Sequence, residues 1–183
     1  MNAPEGLEAT LAQWQAQEAQ VRERMQPYGL AEPAQVRGLS GLEVIQGMLA
    51  GRLPPPPIAR TLDFILVEAE HGRAVFQGRP GLPHYNPLGT VHGGWFATLL
   101  DSAVGCAVHT AQPPGKGYTT LELKLNLVRA LHHRVPLVRA EGQVVHVGRQ
   151  VATAEGRLIG HDGKLYAHAS TTCLVFDARE AGR

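Results

Sequence analysis

The stretch NPLGTVHGGWFATLLDSAVGCAVH, residues 86–109, gathers the residues of this chain best suited to chemistry. Asn86 precedes His92 by six positions, the pair Gly93–Gly94 follows, and Asp101 stands eight positions beyond Gly93 inside an otherwise apolar run. Periodicity predicts a helix from about Val91 to Thr110, ended by QPPGKG. The first turn of a helix carries N–H groups without intrahelical acceptors and the positive end of the dipole. Glycine leaves those groups open to a ligand oxygen, so Gly93 and Gly94 can receive a developing oxyanion; the alternative is close backbone packing. A carboxylate in an apolar helix is costly to bury without partners. Asp101 therefore marks a gap in the apolar face, a hydrogen bond to a neighbouring strand, or a catalytic base or nucleophile.

One straight helix cannot bring both groups to one reacting carbon, because eight residues span roughly 12 Å. A two-fold dimer with these helices side by side and antiparallel would set the Gly93 end of one chain near Asp101 of the other.

The elements that must hold such a helix follow from pattern. Residues 7–25 read as an amphipathic helix through Leu7, Leu11, Trp14, Val21 and Met25, with no evident partner surface. A second helix starts at Ser40, an N-cap with Glu43 at capping-box spacing, and its apolar face is Leu42, Ile45, Met48 and Leu49. GRLPPPP (51–57) ends it in favour of extended chain. IARTLDFILVEAE and GRAVFQGRP are strand-like. Beyond the long helix, TLELKLNLV alternates strictly, with leucines 121, 123, 125 and 127 expected on one buried face. VPLVRAEGQVVHVG, QVATAEGRLIG and KLYAHASTTCLVFD complete a meander, with turns at VGRQ (147–150) and HDGK (161–164). The class is α+β: an antiparallel sheet curled around one long helix, preceded by extra N-terminal helices.

The totals bound the function. The chain has 183 residues, 44% hydrophobic and 18% charged, enough for a packed core. A net charge of +1 gives no basic surplus for nucleic acid. No apolar run reaches the roughly 18 residues of a membrane span, and MNAPEGLEAT lacks a secretory pattern. Two cysteines, Cys106 and Cys173, form neither a disulfide framework nor a metal motif, so a cytoplasmic, reduced protein without metal is expected. Cys106 reads as a small core residue, and Ser102 lacks the G-x-S-x-G elbow of a serine hydrolase.

NPLGTVHGGWFATLLDSAVG, with TTLELKLNLVRA and GRQVATAEGRLIGHDGKLYAHASTTCLVF, resembles the hotdog-fold acyl-CoA thioesterases, in particular the PaaI-like branch of phenylacetic acid degradation. The resemblance covers about residues 58–177, leaving residues 1–57 as a helical extension with a proline-rich connector and 178–183 as a tail. It implies a long helix wrapped by an antiparallel sheet, dimers joined through their sheets, and sites at the dimer interface. Carried over by position, Asp101 activates water or attacks the thioester carbonyl, the Gly93 N–H polarises that carbonyl, Asn86 orients the carbonyl or the water, and His92 positions. Thr120 matches a Ser or Thr that helps hold the water, although strand parity sets it on the polar face with Glu122 and leaves neighbouring Thr119 as the alternative. The implied substrate is a small or medium acyl-CoA, with no cofactor beyond the coenzyme A of the substrate itself. Arg129 and Arg149 are candidates for the phosphates of coenzyme A, or solvated turn charges. Trp95 and Phe96 either line the acyl pocket or pack the core. The chain is expected to self-associate as a dimer or tetramer. The other readings are a non-catalytic acyl-CoA binding or sensing module on the same fold and, less well matched, a hotdog dehydratase.

Overall fold

A computed structural model describes residues 3–178; of the expected tail 178–183, only Ala178 lies within the described residues. The long helix, α5, runs Gly93–Thr110. It starts two residues later than periodicity suggests, because Val91 pairs with Tyr85 in an isolated bridge and His92 is the N-cap, its Nδ1 accepting the Gly94 N–H at 2.8 Å. Leu99, Leu100, Ala103, Val104, Ala107 and Val108 are fully buried and form the centre of the core.

Six strands wrap this helix: β1 Phe64–Glu70, β2 Arg73–Gly78, β3 Lys116–Leu127, β4 Val138–Val147, β5 Val151–Gly160 and β6 Leu165–Asp177. All neighbours are antiparallel in the order β1-β2-β4-β5-β6-β3, which leaves β3 at an edge. The helix approaches β4 and β5 closely at Gly142 and Gly156; a Cβ at Gly142 would collide with the Ala103 backbone, and one at Gly156 with Val104.

The N-terminal extension is tied to this frame. Helix α1 (Ala3–Arg24) lies on the outer face of β1 and β2, where Val21 meets Ile65, Val67 and Val75 while Phe64, Leu66 and Phe76 point to α5. A polar network fastens it: Arg139 donates to Gln77, Glu68 and Gln17 at 3.0, 2.9 and 2.7 Å, and its guanidinium sits 4.4 Å from the Trp14 ring centroid. Buried Glu18 accepts from Arg22, Gln77 and Arg79. Burial alone would raise the Glu18 carboxyl; the bonds from Arg22 and Gln77 and the charges of Arg22 and Arg79 hold it below its usual range. A short helix α2 (Pro33–Val36) leads to α3 (Gly41–Leu49), which has the expected Ser40–Glu43 capping box and packs on β1 and α5 through Ile45.

Two expectations are corrected. The strand-like run at 58–63 is instead a short helix, α4 (Pro57–Thr61), because Pro57 at a helix start has a preset φ and needs no N–H partner; Asp63, at φ 47°, then turns the chain into β1. The leucines of β3 do not share one buried face: Leu123 and Leu125 face the helix side and are half-buried, but Leu121 and Leu127 are 61% and 51% exposed. Leu121 is the extra residue of a β-bulge, since Thr120 pairs with Cys173 and Glu122 with the adjacent Thr172. Among the described residues no helix is long and apolar enough to cross a membrane.

Candidate active site

The head of α5 opens into a cleft of about 260 Å³ lined by Asn86, Thr90, Val91, Gly93, Phe96 and the segment Leu127–Leu131. The Gly93 N–H has no acceptor among the described residues, whereas Gly94 is taken by the His92 cap. A donor at the positive end of a helix, at the wall of a cleft, suits a carbonyl oxygen that gains charge. The turn carrying Asn86 is held by its own side chain: Oδ1 accepts from Leu88 N and Thr90 N, and Nδ2 donates to Thr90 Oγ1 at 3.0 Å. Thr90 is a residue that the sequence reasoning misses; an Asn followed by Pro, Gly and Thr is the local signal for such a side-chain-closed turn. Tyr85 Oη accepts from the His133 N–H at 2.9 Å and joins this turn to the loop after β3.

Asp101 is half-buried on a stripe of α5, with Gly94, Ala97, Thr98 and Ser102, that the sheet of its own chain leaves partly open. Its Oδ1 accepts a hydrogen bond from Thr120 Oγ1 at 2.9 Å. The parity argument that set Thr120 on the outer face fails at the Leu121 bulge: the extra residue shifts the alternation, so Thr120 faces inward like Leu123, while Thr119 is exposed and pairs with Leu174. Behind Asp101 stand Cys106, Tyr118 and Cys173. Burial pushes the Cys106 thiol up to about 12, the Tyr118 hydrogen bond opposing and the Asp101 charge adding to that effect; burial also raises Cys173 and Tyr118. Protonated thiols of this kind are inert. Ser102 Oγ donates to Thr98 O at 2.7 Å along its own helix.

The remaining candidates separate. Arg129 lines the cleft with Gly93 and Asn86, but Arg149 is exposed in the β4–β5 turn beside Val151, which pairs with Leu174 and, through it, with the Thr119 end of β3. Trp95 belongs to the core, with Nε1 donating to Leu62 O and its ring stacked on His84 at 5.6 Å. Phe96 is both core and cleft wall. Within one chain, then, the structure brings Asn86, Gly93 and Arg129 to one cleft and Asp101 and Thr120 to another part of the same helix–sheet interface.

The profile of the Thioesterase superfamily matches residues 88–167, which include the head of α5, Asp101 and Thr120. A putative thioesterase, a phenylacetic acid degradation-related protein of Ralstonia eutropha JMP134, is 30% identical over 71% of this chain and 98% of its own, with a TM-score of 0.65. The chain belongs to the thioesterase superfamily. It is a PaaI-like thioester hydrolase with the hotdog fold. A mutant of the phenylacetic acid degradation protein PaaI from Thermus thermophilus is 28% identical over 64% of this thioesterase and 97% of its own chain, at a TM-score of 0.58. The Haemophilus influenzae thioesterase HI1161, 18% identical over 69% of this chain and 87% of its own at a TM-score of 0.63, shares the fold. Comparison with curated proteins gives no match.

Proposed function

We propose that this thioesterase hydrolyses the thioester of a small or medium acyl-CoA, at sites that each take the Gly93 cleft from one protomer and Asp101 from its partner. The observation that carries the reading is the pairing of an unused donor at Gly93 with a half-open carboxylate, oriented by Thr120, eight residues along the same helix. The roughly 12 Å between them is bridged by an antiparallel partner. The free edge of β3 supports that geometry: a 12-residue edge strand with Leu121 and Leu127 at 61% and 51% exposure, followed directly by Val128 at 53%, is a template for pairing. Pairing β3 with its copy would run the Thr120 end of one chain past the Leu127 end of the other. It would also bring Arg149 of one protomer toward the end of β3 that carries Arg129 of the other, so both can meet the phosphates of coenzyme A.

In the reaction, the substrate carbonyl accepts from Gly93 N–H. Asp101 either removes a proton from water as it adds to the carbonyl carbon, or attacks that carbon itself and forms an anhydride that water opens. Thr120 orients the carboxylate, Asn86 and His92 hold the turn and the helix head, and the tetrahedral oxyanion collapses by expelling the coenzyme A thiolate. A thiolate leaves readily, so no strong acid is required.

The test is a panel of acyl-CoAs followed by thiol release, with wild type and Asp101→Ala side by side. Turnover of at least one short or medium acyl-CoA, reduced at least about a hundredfold in the variant, is expected. Binding without thiol release across the panel would favour the non-catalytic module, and an undiminished Asp101→Ala enzyme would end the assignment of that residue.

A further inference from the structure

Edge strand β3 runs back along α5, and three contacts fix their alignment. A Cβ at Gly93 would lie 3.1 Å from Leu127 Cδ1, Thr120 Oγ1 donates to Asp101 Oδ1 at 2.9 Å, and a Cβ at Gly105 would lie 3.0 Å from both Cε2 and Oη of Tyr118. The trough between them has as its helix side the open stripe of Gly94, Ala97, Thr98, Asp101 and Ser102. Helical spacing carries that stripe on to Gly105, four residues beyond Asp101, yet Gly105 is buried. Tyr118 covers it. The ring rests in the notch that the missing side chain leaves, with its centroid 5.3 Å from that of His109, and packs against Val104, Val108, Cys173 and Val175. A side-chain hydrogen bond joins its hydroxyl to Cys106. A ring held on several sides is a wall, and this one stands one helical turn, about 6 Å, beyond Asp101.

A thioester bound at the shared site has two arms. Arg129 is exposed at the Gly93 cleft, so the coenzyme A arm leaves on that side. The acyl arm then enters the trough of the protomer that supplies Asp101. Toward the two-fold axis the paired helices meet at Ala97, midway between Gly93 and Asp101, and fill the space. The other direction leads to Tyr118. We propose that Tyr118 sets the acyl-chain length: seated in the Gly105 notch, it ends the trough one turn past Asp101, so the enzyme takes short acyl groups and rejects long-chain ones. This inference rests on the shared-site reading given above.

The test measures kcat/KM for butyryl-CoA and dodecanoyl-CoA in wild type, Tyr118→Ala and Tyr118→Phe, with Tyr118→Leu in place of the alanine form where that does not fold. Wild type is expected to favour butyryl-CoA about tenfold or more. Tyr118→Ala should raise the dodecanoyl-to-butyryl ratio about tenfold or more, the scale of two methylene groups newly taken out of water. Tyr118→Phe keeps the ring and should leave the ratio within about twofold of wild type. An unchanged ratio in the folded alanine or leucine form would overturn the proposal. So would a phenylalanine form shifted as far as the alanine form, or a wild type that turns over dodecanoyl-CoA as fast as butyryl-CoA. A wild type that hydrolyses no acyl-CoA would instead refute the acyl-CoA reading of the activity. Calorimetry with butyl-CoA and dodecyl-CoA, thioethers that cannot be hydrolysed, then decides the chain-length assignment. A Kd ratio shifted about tenfold by Tyr118→Ala upholds it, and an unshifted ratio ends it.

Discussion

The shared-site arrangement can be tested by breaking its two halves in different chains. Gly93 occupies the first position of α5, where proline is tolerated because no intrahelical bond is lost. The preceding residue, His92, already has φ −63° and ψ 140°, the extended conformation that a following proline demands. A Cβ at Gly93 would lie 3.1 Å from Leu127 Cδ1, the end of a flexible and half-exposed side chain that can shift by a few tenths of an ångström. Gly93→Pro therefore deletes one N–H and little else. Loss of a single oxyanion donor costs about 10²–10³ in kcat, or roughly 3–4 kcal/mol. Asp101→Asn keeps an acceptor for the Thr120 hydroxyl at 2.9 Å and removes the basic carboxylate, with a loss of about 10²–10⁴. Each homodimer should then be nearly inactive. In a dimer with one chain of each kind, one site combines two defects and the other is intact. Refolding an equal mixture gives about half mixed dimers, so thiol release should recover to about a quarter of wild type per total protein, and purified mixed dimers to about half. Mixtures as inactive as their parents would mean that each chain completes its own site, and the antiparallel arrangement would be refuted.

Three further outcomes are expected. Thr120→Val should lower kcat about tenfold or more while Thr119→Val leaves it unchanged, a steady-state comparison that reads the bulge directly. Arg139→Met should destabilise the fold by about 3 kcal/mol, the low end for breaking a buried ion pair because Glu68 is partly exposed, and lower Tm by roughly 6–12 °C in a thermal melt. Acid should weaken the protein in two stages. Burial lowers His84 and His109 below 6.5, so stability held above that value declines as pH falls through their folded values. Glu18 and Glu68 lie below 4.5 because their hydrogen bonds and neighbouring arginines outweigh burial, so their contribution, full above about pH 4.5, is lost as pH falls through those lower values. Melts between pH 8 and 3 should show both declines, and Glu18→Gln should flatten only the lower one.

What could be read from the sequence was what short-range chemistry decides. The long helix, two residues shorter at its start than expected, the Ser40–Glu43 box, the HDGK hairpin and the nearness of Asn86 to Gly93 all depend on spacings of a few residues, and all recur in the structure, whereas Asp101 stands apart from that cleft within one chain. Thr120 was harder, because strict alternation assumes that no strand carries an extra residue, and nothing in LELKL announces that Leu121 is one. The failure at 58–63 is of the same kind: a β-favouring composition lost to Pro57, which begins a helical turn. The partner of α1 was out of reach for a different reason. Its attachment is largely polar and long-range, with Gln17 meeting Arg139 across 122 positions, and such pairs leave no periodic trace.

Three features would be liabilities in a chain that worked alone. An edge strand of 12 residues with exposed leucines invites aggregation. A glycine pair heading the central helix weakens it relative to alanine. A half-buried carboxylate on that helix interrupts the apolar surface. Each conflicts with the rule that local choices should agree with the fold, and such conflicts gather where function is placed. The proposed pairing resolves all three together: the edge finds its copy, the unused Gly93 donor shares a site with an acid from across the interface, and the acid faces a substrate rather than open solvent. If the site is shared as proposed, catalysis is conditional on assembly. Dilution below the dimer dissociation constant should therefore abolish activity before it unfolds the chain, since the core around Leu99, Leu100 and Val104 is completed within one protomer.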